Sequence, residues 1–466
     1  MALLPSVCVI GAGSSGIAAA KALHQRGFAF DCFEASDRVG GMWVFKNPNG
    51  RSAAYKSLHI NTSRERMEFA DFPMPRSYPD FPHHSHIAEY FDAYVDHFGF
   101  RERITFGTAV TRAEPRAGGG TQGTASAETG WEVSLDTGET RSYDALLVAN
   151  GHHWDPRWPE PGFPGQEGFA GVLMHAHDYR GEDPALFRDR TVVVLGMGNS
   201  AMDIAVEASF HARTVYLAAR RGAWVVPKYV FGRPLDQLPT SARVPVALRR
   251  RLQEAVVRAA VGSMETYGLP RPDHHLGQAH PTISDDVLSR LAHGAITAKP
   301  NLESFAGRTV RFLDGSEVDA DVVVFCTGYR VSFPFFAPEL IAAPGNELPL
   351  FRRVFHPQRR DVFFVGLLQP LGAVMPLAAL QSDWLCDHLA GDYHLPPDAE
   401  LRADIASERR AMAVRYVASP RHTMQVDFED YVAGVARERR RGAARAALAG
   451  HALPVVVRSV AAATAG

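Results

Sequence analysis

An α/β fold with two βαβ units follows from two glycine-rich turns, each set between an apolar run and a helix-like stretch. The first is "VCVIGAGSSGIAAAKAL", with Gly11, Gly13 and Gly16. The second is "VVVLGMGNSAMDIA", with Gly196, Gly198 and Ala201 at the matching places. In a Rossmann-like turn the first glycine allows the bend, the second lets a diphosphate approach the backbone, and the third lets helix and strand pack closely. Alanine is allowed at the third place. Free N–H groups at the start of the helix then face the phosphates.

Each unit reads in order. Residues 7–10 form an apolar strand, 14–25 a helix and 28–33 a second strand. The same succession recurs over 191–217. Cofactor-binding residues of the first turn are expected to be Gly11, Ala12, Gly13, Ser14, Ser15 and Gly16. Those of the second are Gly196, Gly198, Asn199, Ser200 and Ala201, with Asp203 fixing the loop from the first helical turn. The ends of the second strands separate the two sites. Counting from Gly11, 23 positions (34 − 11) lead to Glu34. A carboxylate there accepts hydrogen bonds from a ribose 2′-hydroxyl, as for FAD or NAD. The same offset from Gly196 reaches Ala219, followed by Arg220 and Arg221. Guanidinium groups pair with phosphate, so the second site reads as one for NADP; the alternative is two ordinary exposed charges at a strand end. Two dinucleotide sites on one chain point to hydride transfer from a nicotinamide cofactor to a flavin.

Between and after these units the organisation is coarser. Residues 113–130 are rich in Gly, Ser and Thr and read as a surface loop. Residues 157–169 carry three prolines and read as an extended linker. A helix-rich stretch covers 244–298, and a hairpin is expected around Asp314 and Gly315. The basic run "RERRRGAARAA" near the end reads as a solvated helix face.

Composition narrows the class. The chain has 466 residues, more than one ordinary core needs, so two or three domains are expected. A net charge of -2 does not suggest nucleic acid or an anionic membrane as partner. No apolar window is long enough for a membrane span, and no signal peptide is read. Cys8, Cys32, Cys326 and Cys386 include no C-x-x-C pair, which fits reduced thiols in a cytoplasmic protein and speaks against a disulfide reductase. The histidine groups near His83 and Asp273 lack ligand spacing, so no metal is expected.

Several further stretches resemble one family, the class B flavin-containing monooxygenases. "EASDRVGGMW" resembles its flavin-binding E-x5-G-G-x-W motif, through Glu34, Gly40, Gly41, Met42 and Trp43. "FAGVLMHAHDYR" is similar to its identifying F-x-G-x3-H-x3-Y sequence, through Phe169, Gly171, His175 and Tyr179. "NTSRERMEFADFPMP", "HPTISDD", "FCTGY" and "VGLLQPLGAVMP" match the family in the same order. The resemblance implies an FAD domain from both chain ends (1–185 and 300–466). An NADP domain with a helical insertion (189–299) would be set between them. It implies a reaction in which NADPH reduces FAD and O2 then gives a C4a-hydroperoxyflavin. That species oxygenates a soft nitrogen or sulfur in an amine or thioether, and oxidised NADP stays as a lid. It places Asn61 beside the flavin as the catalytic residue, with Ile60 and Thr62 as backbone contacts. The residue pattern alone also allows Asn61 to cap a turn. His175 is expected to hold structure, His177 to be exposed and Tyr329 to pack.

Two departures refine this. The membrane-seeking tail of animal relatives is not evident, which favours a soluble bacterial-type member. Baeyer–Villiger relatives carry tryptophan where this chain has Tyr179, which favours amine and sulfide oxygenation. Baeyer–Villiger oxygenation of ketones is the alternative within the class, and a non-catalytic nucleotide-binding redox sensor is the alternative outside it. A homodimer is left open.

Overall fold

The computed structural model describes residues 4–116, 130–238, 246–416 and 423–454. The expected surface loop falls mostly on 117–129, outside the described residues, as does the end of the chain beyond 454.

Two five-stranded parallel sheets organise the chain. The first runs in the order Val362–Phe364, Ala145–Val148, Val7–Ile10, Phe30–Phe33, Ile104–Thr105. Its three central-to-edge strands Val7–Ile10, Ala145–Val148 and Val362–Phe364 are buried at every residue. A parallel sheet covered on both faces requires this, so these strands read as unbroken apolar runs rather than alternating ones. Val7 and Val9 pack toward the helices Ser14–Gln25, His84–Phe98 and Met375–Leu389. Cys8 and Ile10 point the other way, into a core shared with the antiparallel sheet Val110–Pro115, Trp131–Leu135, Thr140–Tyr143. The strand expected over 28–33 begins at Phe30, because Gly27 at φ 73 and the Phe28 N–H bond to Leu23 still belong to the end of the helix.

The second sheet repeats the plan. Its order is Thr297–Pro300, Thr214–Ala219, Thr191–Leu195, Val322–Phe325, Val172–His175. Val192 and Val194 face the helices Asn199–Ala208 and Val287–Ala292, while Val193 and Leu195 face the antiparallel sheet Leu302–Ala306, Thr309–Phe312, Glu317–Asp319. The strands Val172–His175 and Val322–Phe325 lie outside 189–299, so this unit is built from a wider segment than expected. The reason is topological: the last strand to enter the sheet pairs with the chain as it first arrives. The two crossings between units are themselves paired, Tyr329 with Pro156 and Arg330 with Asp155.

The stretch 244–298 holds the helices Val246–Val261 and Val287–Ala292, with the short strand Thr282–Ile283 and the start of Thr297–Pro300. Val225–Val226, which pairs with Thr282–Ile283, and a small hairpin, Tyr229–Val230 with Arg233–Pro234, precede it. The basic run lies on the helix Phe428–Leu448. Arg437, Arg440 and Arg441 are exposed as expected, whereas Arg439 pairs with Asp387 and Arg445 with Glu438. All four cysteines are free thiols, and Cys8, Cys32 and Cys386 are buried. Among the described residues no helix is long and apolar enough to cross a membrane.

Candidate active site

One cavity of about 1070 Å³ joins the two units. Gly11, Gly13, Ser14, Ser15, Glu34, Gly41, Met42 and Trp43 line it from the first unit, and Gly198, Asn199, Ser200, Ala201, Arg220 and Arg221 from the second. Ile60, Asn61 and Thr62 lie between. Ala12, Gly16, Gly196 and Asp203 stand behind the wall rather than in it.

The glycines of the first turn divide their work. Gly11 has φ 98, and a Cβ there would come within 2.8 Å of the Ala149 carbonyl oxygen. A Cβ on Gly16 would overlap the Gly11 carbonyl oxygen, so helix and strand meet at the closest approach backbone allows. Gly13 differs: the nearest chain atom to its Cβ position is Gly41 Cα at 3.6 Å. The space beside Gly13 is therefore cavity, at the start of the helix Ser14–Gln25, and it fits a diphosphate. Glu34 is buried at 5% exposure. Its carboxylate accepts the Ala12 N–H at 2.6 Å and the Ser36 N–H at 2.8 Å. Burial pushes its pKa up, and these N–H groups and the nearby Arg51 pull it back. Ala12 thus serves by orienting Glu34.

The second turn is built on side chains as well as backbone. Gly196 has φ 143 and abuts the Cys326 carbonyl oxygen. Asn199 Oδ1 accepts the Ile283 N–H at 2.9 Å, and the Thr282 hydroxyl donates to the Met197 carbonyl. The "HPTISDD" block therefore packs on the turn, and the Asn199 side chain is committed to it. Arg220 and Arg221 are exposed at the end of Thr214–Ala219. Arg221 reaches Asp273 only at 3.8 Å, and Arg220 makes no ion pair among the described residues.

Asp203 needs a correction. Its carboxylate accepts the Tyr55 hydroxyl, from the first unit, instead of facing the cavity. One helical turn on, Glu207 accepts the hydroxyls of Ser57 and Tyr179. These two carboxylates on one helix tie the units together. A helix spacing of four residues places both on the same face.

Asn61 is half-buried in the wall, and its amide makes no hydrogen bond among the described residues. The turn-capping alternative is therefore not what its side chain does here. The loop is held by its neighbours. Ile60 N–H donates to Pro82 at 3.0 Å, Ser63 N–H to Asp236 at 2.6 Å, and Gln237 donates to the Ser63 hydroxyl at 3.0 Å.

In the identifying strip, Phe169 packs edge-on to Phe305 at 5.3 Å. His175 is buried, and its Nδ1 accepts the His177 N–H at 3.0 Å. The ring proton therefore sits on Nε2. Burial lowers its pKa to about 4, so the ring is neutral at ordinary pH. His177, expected to be exposed, is 6% exposed and shares Nε2 with the Gly50 carbonyl at 3.0 Å. No motif gave that position a role, so its burial had no signal. Tyr329 does pack, against His153, His175 and His177, and it also lines the cavity. The wall from Gly366 to Met375 was matched from sequence but given no site role. Its signal lay in the "VGLLQPLGAVMP" block: a Cβ on Gly366 would overlap the Ser15 side chain, and Gln381 holds the Gly366 N–H at 2.8 Å.

Residues 5–441 match the family described as flavin-binding monooxygenase-like. Flavin-containing monooxygenase 5 of Cavia porcellus is 38% identical over 91% of this chain and 80% of its own length. Dimethylaniline monooxygenase [N-oxide-forming] 2 of Rattus norvegicus is 34% identical over 94% and 83%. Among solved structures, S-allyl-L-cysteine S-oxygenase from Allium sativum superposes with a TM-score of 0.68 at 24% identity, over 98% of this chain and 95% of the other. The open structure of cyclohexanone monooxygenase gives 0.69 at 18%, over 95% and 98%. These two likenesses show the fold. The matched family and the curated relatives, together with the paired glycine turns, lead to one statement: the chain belongs to the flavin-binding monooxygenase-like family, NADPH-dependent oxidoreductases that use FAD.

Proposed function

We propose that the first turn holds FAD, the second holds NADPH, and the enzyme oxygenates a soft nitrogen or sulfur nucleophile of an amine or thioether. Bound flavin supplies the redox chemistry, accepting a hydride and activating O2. The chain's own part is positional. Gly13 leaves room for the diphosphate and Glu34 offers its carboxylate to the ribose. Arg220, which makes no ion pair among the described residues, and Arg221, paired only with Asp273 at 3.8 Å, present their guanidinium groups to a 2′-phosphate.

The observation that carries the reading is the Asn61 amide. It stands in the cavity wall between the two turns with both donor and acceptor uncommitted. Its loop is pinned from the first unit at Ile60 and from the second at Ser63. A neutral amide so placed orients groups on both cofactors without trading a proton. No cavity group need act as a strong acid, which suits a soft nucleophile attacking an activated oxygen. The N-oxide-forming name of the dimethylaniline monooxygenase relative supports nitrogen oxygenation.

The test is NADPH consumption and product analysis with three substrates: a tertiary amine, a thioether and a cyclic ketone. The expected products are an N-oxide and a sulfoxide. Lactone from the ketone, with neither of these, would replace this reading by Baeyer–Villiger oxygenation.

A further inference from the structure

The cations in the cavity wall are unevenly placed. Among the described residues they are Arg51, Arg157, Arg220, Arg221 and Lys228. The last three belong to the second unit, and Arg157 sits in the linker, bonded through its backbone to Thr327 and Gly328. The first unit contributes Arg51. The helix Ser14–Gln25 carries Lys21 and His24, both beyond its first turn, and Lys21 is paired with Asp71. A diphosphate at this helix start carries two negative charges and meets only N–H dipoles there.

Arg51 lines the same cavity as Gly13, Ser14 and Ser15. Its guanidinium carbon lies 4.8 Å from the centre of the Trp154 ring. The Trp154 indole is fixed by its Nε1–H donating to the Gly151 carbonyl at 3.2 Å. Around Arg51 the backbone is tied to the flavin-side turn. Asn47 donates to the Gly41 carbonyl at 3.2 Å, and the Ser52 hydroxyl donates to the Met42 carbonyl at 2.7 Å. Asn49 Oδ1 accepts the Arg51 N–H at 2.9 Å, and Asn49 Nδ2 reaches Glu34 at 3.5 Å. Arg51 is close enough to Glu34 to lower its pKa by charge. Yet the guanidinium makes no ion pair and no hydrogen bond among the described residues. A planar cation stacked on an aromatic ring keeps its N–H fork free, in the geometry that binds phosphate oxygens.

We propose that Arg51, held over the Trp154 ring, binds the diphosphate of FAD and is a principal reason the cofactor stays on the enzyme. This stands apart from the substrate reading, since it is tested with no substrate present. The measurement is the release of FAD from holoenzyme, followed by the rise in flavin fluorescence on dilution, at a series of KCl concentrations. Arg51→Met should release FAD about ten- to a hundredfold faster at low salt, the loss of one charge-assisted contact. The parent's release should quicken with salt, and the variant's should respond less. Arg51→Lys should recover part of the retention, and Trp154→Phe most of it. Trp154→Ala, which keeps the charge but not its support, should shift release in the same direction as Arg51→Met. If Arg51→Met releases FAD at the parent rate, the proposal is wrong. It is equally wrong if FAD release is unchanged while KM for NADPH rises, which would assign Arg51 to the other nucleotide.

Discussion

The two glycine turns follow one pattern and differ in how tightly they are closed. At the first, Gly16 sits so near Gly11 that no side chain fits, Glu34 is buried, and its carboxylate is bonded to the turn itself. At the second, Ala201 replaces the glycine and is accommodated in the core, and the two charges at the strand end are exposed with at most one distant partner. A recognition group already buried and oriented loses little freedom when its ligand arrives, whereas two exposed arginines must be ordered each time. The contrast suits a cofactor that stays at the first turn and one that exchanges at the second.

The largest expected effect comes from closing the open space of the first turn. Gly13→Val puts a branched side chain on the cavity side of the turn, where the proposed diphosphate would lie and where its Cβ meets only Gly41 within 4 Å. The protein should fold and purify without flavin colour. Full flavin content in this variant would show that the first turn is not where FAD binds. At the second turn the matching experiment is milder. Arg220→Ala and Arg221→Ala each remove a charge-assisted phosphate contact of about 1.5–3 kcal/mol. Apparent affinity for NADPH should fall by roughly one to two decades while NADH is little affected. An unchanged NADPH/NADH preference in both variants would mean the phosphate is read elsewhere.

Asn61 lies on the seam and tests whether the two sites act as one. Asn61→Ala should keep FAD and KM for NADPH near parent values, because neither turn depends on it. Product formed per NADPH should fall several-fold, with the balance appearing as H2O2. A variant that couples as the parent does would leave Asn61 without a role in the reaction. A variant that loses FAD would return it to the structural role its free amide argues against.

These contrasts also mark what could be read without coordinates. Strand–turn–helix order, the glycine roles, Glu34 and the arginine pair were all local: each depends on residues within about thirty positions and on backbone chemistry that composition reveals. The seam was not local. Tyr55 and Asp203 are 148 positions apart, and nothing in "DIAVEA" says that its acids face hydroxyls rather than a cofactor. His177 was read as exposed because it matched no motif, yet it closes on Gly50, 127 positions away. Motif reading picked out groups that line the cavity and missed those that meet the other half of the protein. The width of the second unit was missed for the same reason, since strand pairing between Val172–His175 and Val322–Phe325 is set by topology.

The smallest effect is expected at that seam. Burial raises the pKa of Asp203, against the Tyr55 hydrogen bond and the charge of Lys228, which lower it; the neighbouring Asp286 adds to the rise. Burial and the charge of Asp203 likewise raise Glu207, against its bond from Tyr179. A carboxyl whose pKa is higher folded than unfolded binds more protons in the folded state. Stability from this source is then greatest below the unfolded value, about 4 for Asp, and falls as pH rises through the folded one. Asp203→Asn keeps an oxygen that accepts the Tyr55 hydroxyl and removes the buried charge. Its Tm relative to the parent should therefore rise as pH is raised from about 4, by roughly 1–2 °C, since a given free energy moves Tm less in a long chain. Other titrating groups are shared by the two proteins and cancel in the difference. A difference that is flat with pH would show that Asp203 titrates alike in both states, and a difference that falls would show that its charge stabilises the seam.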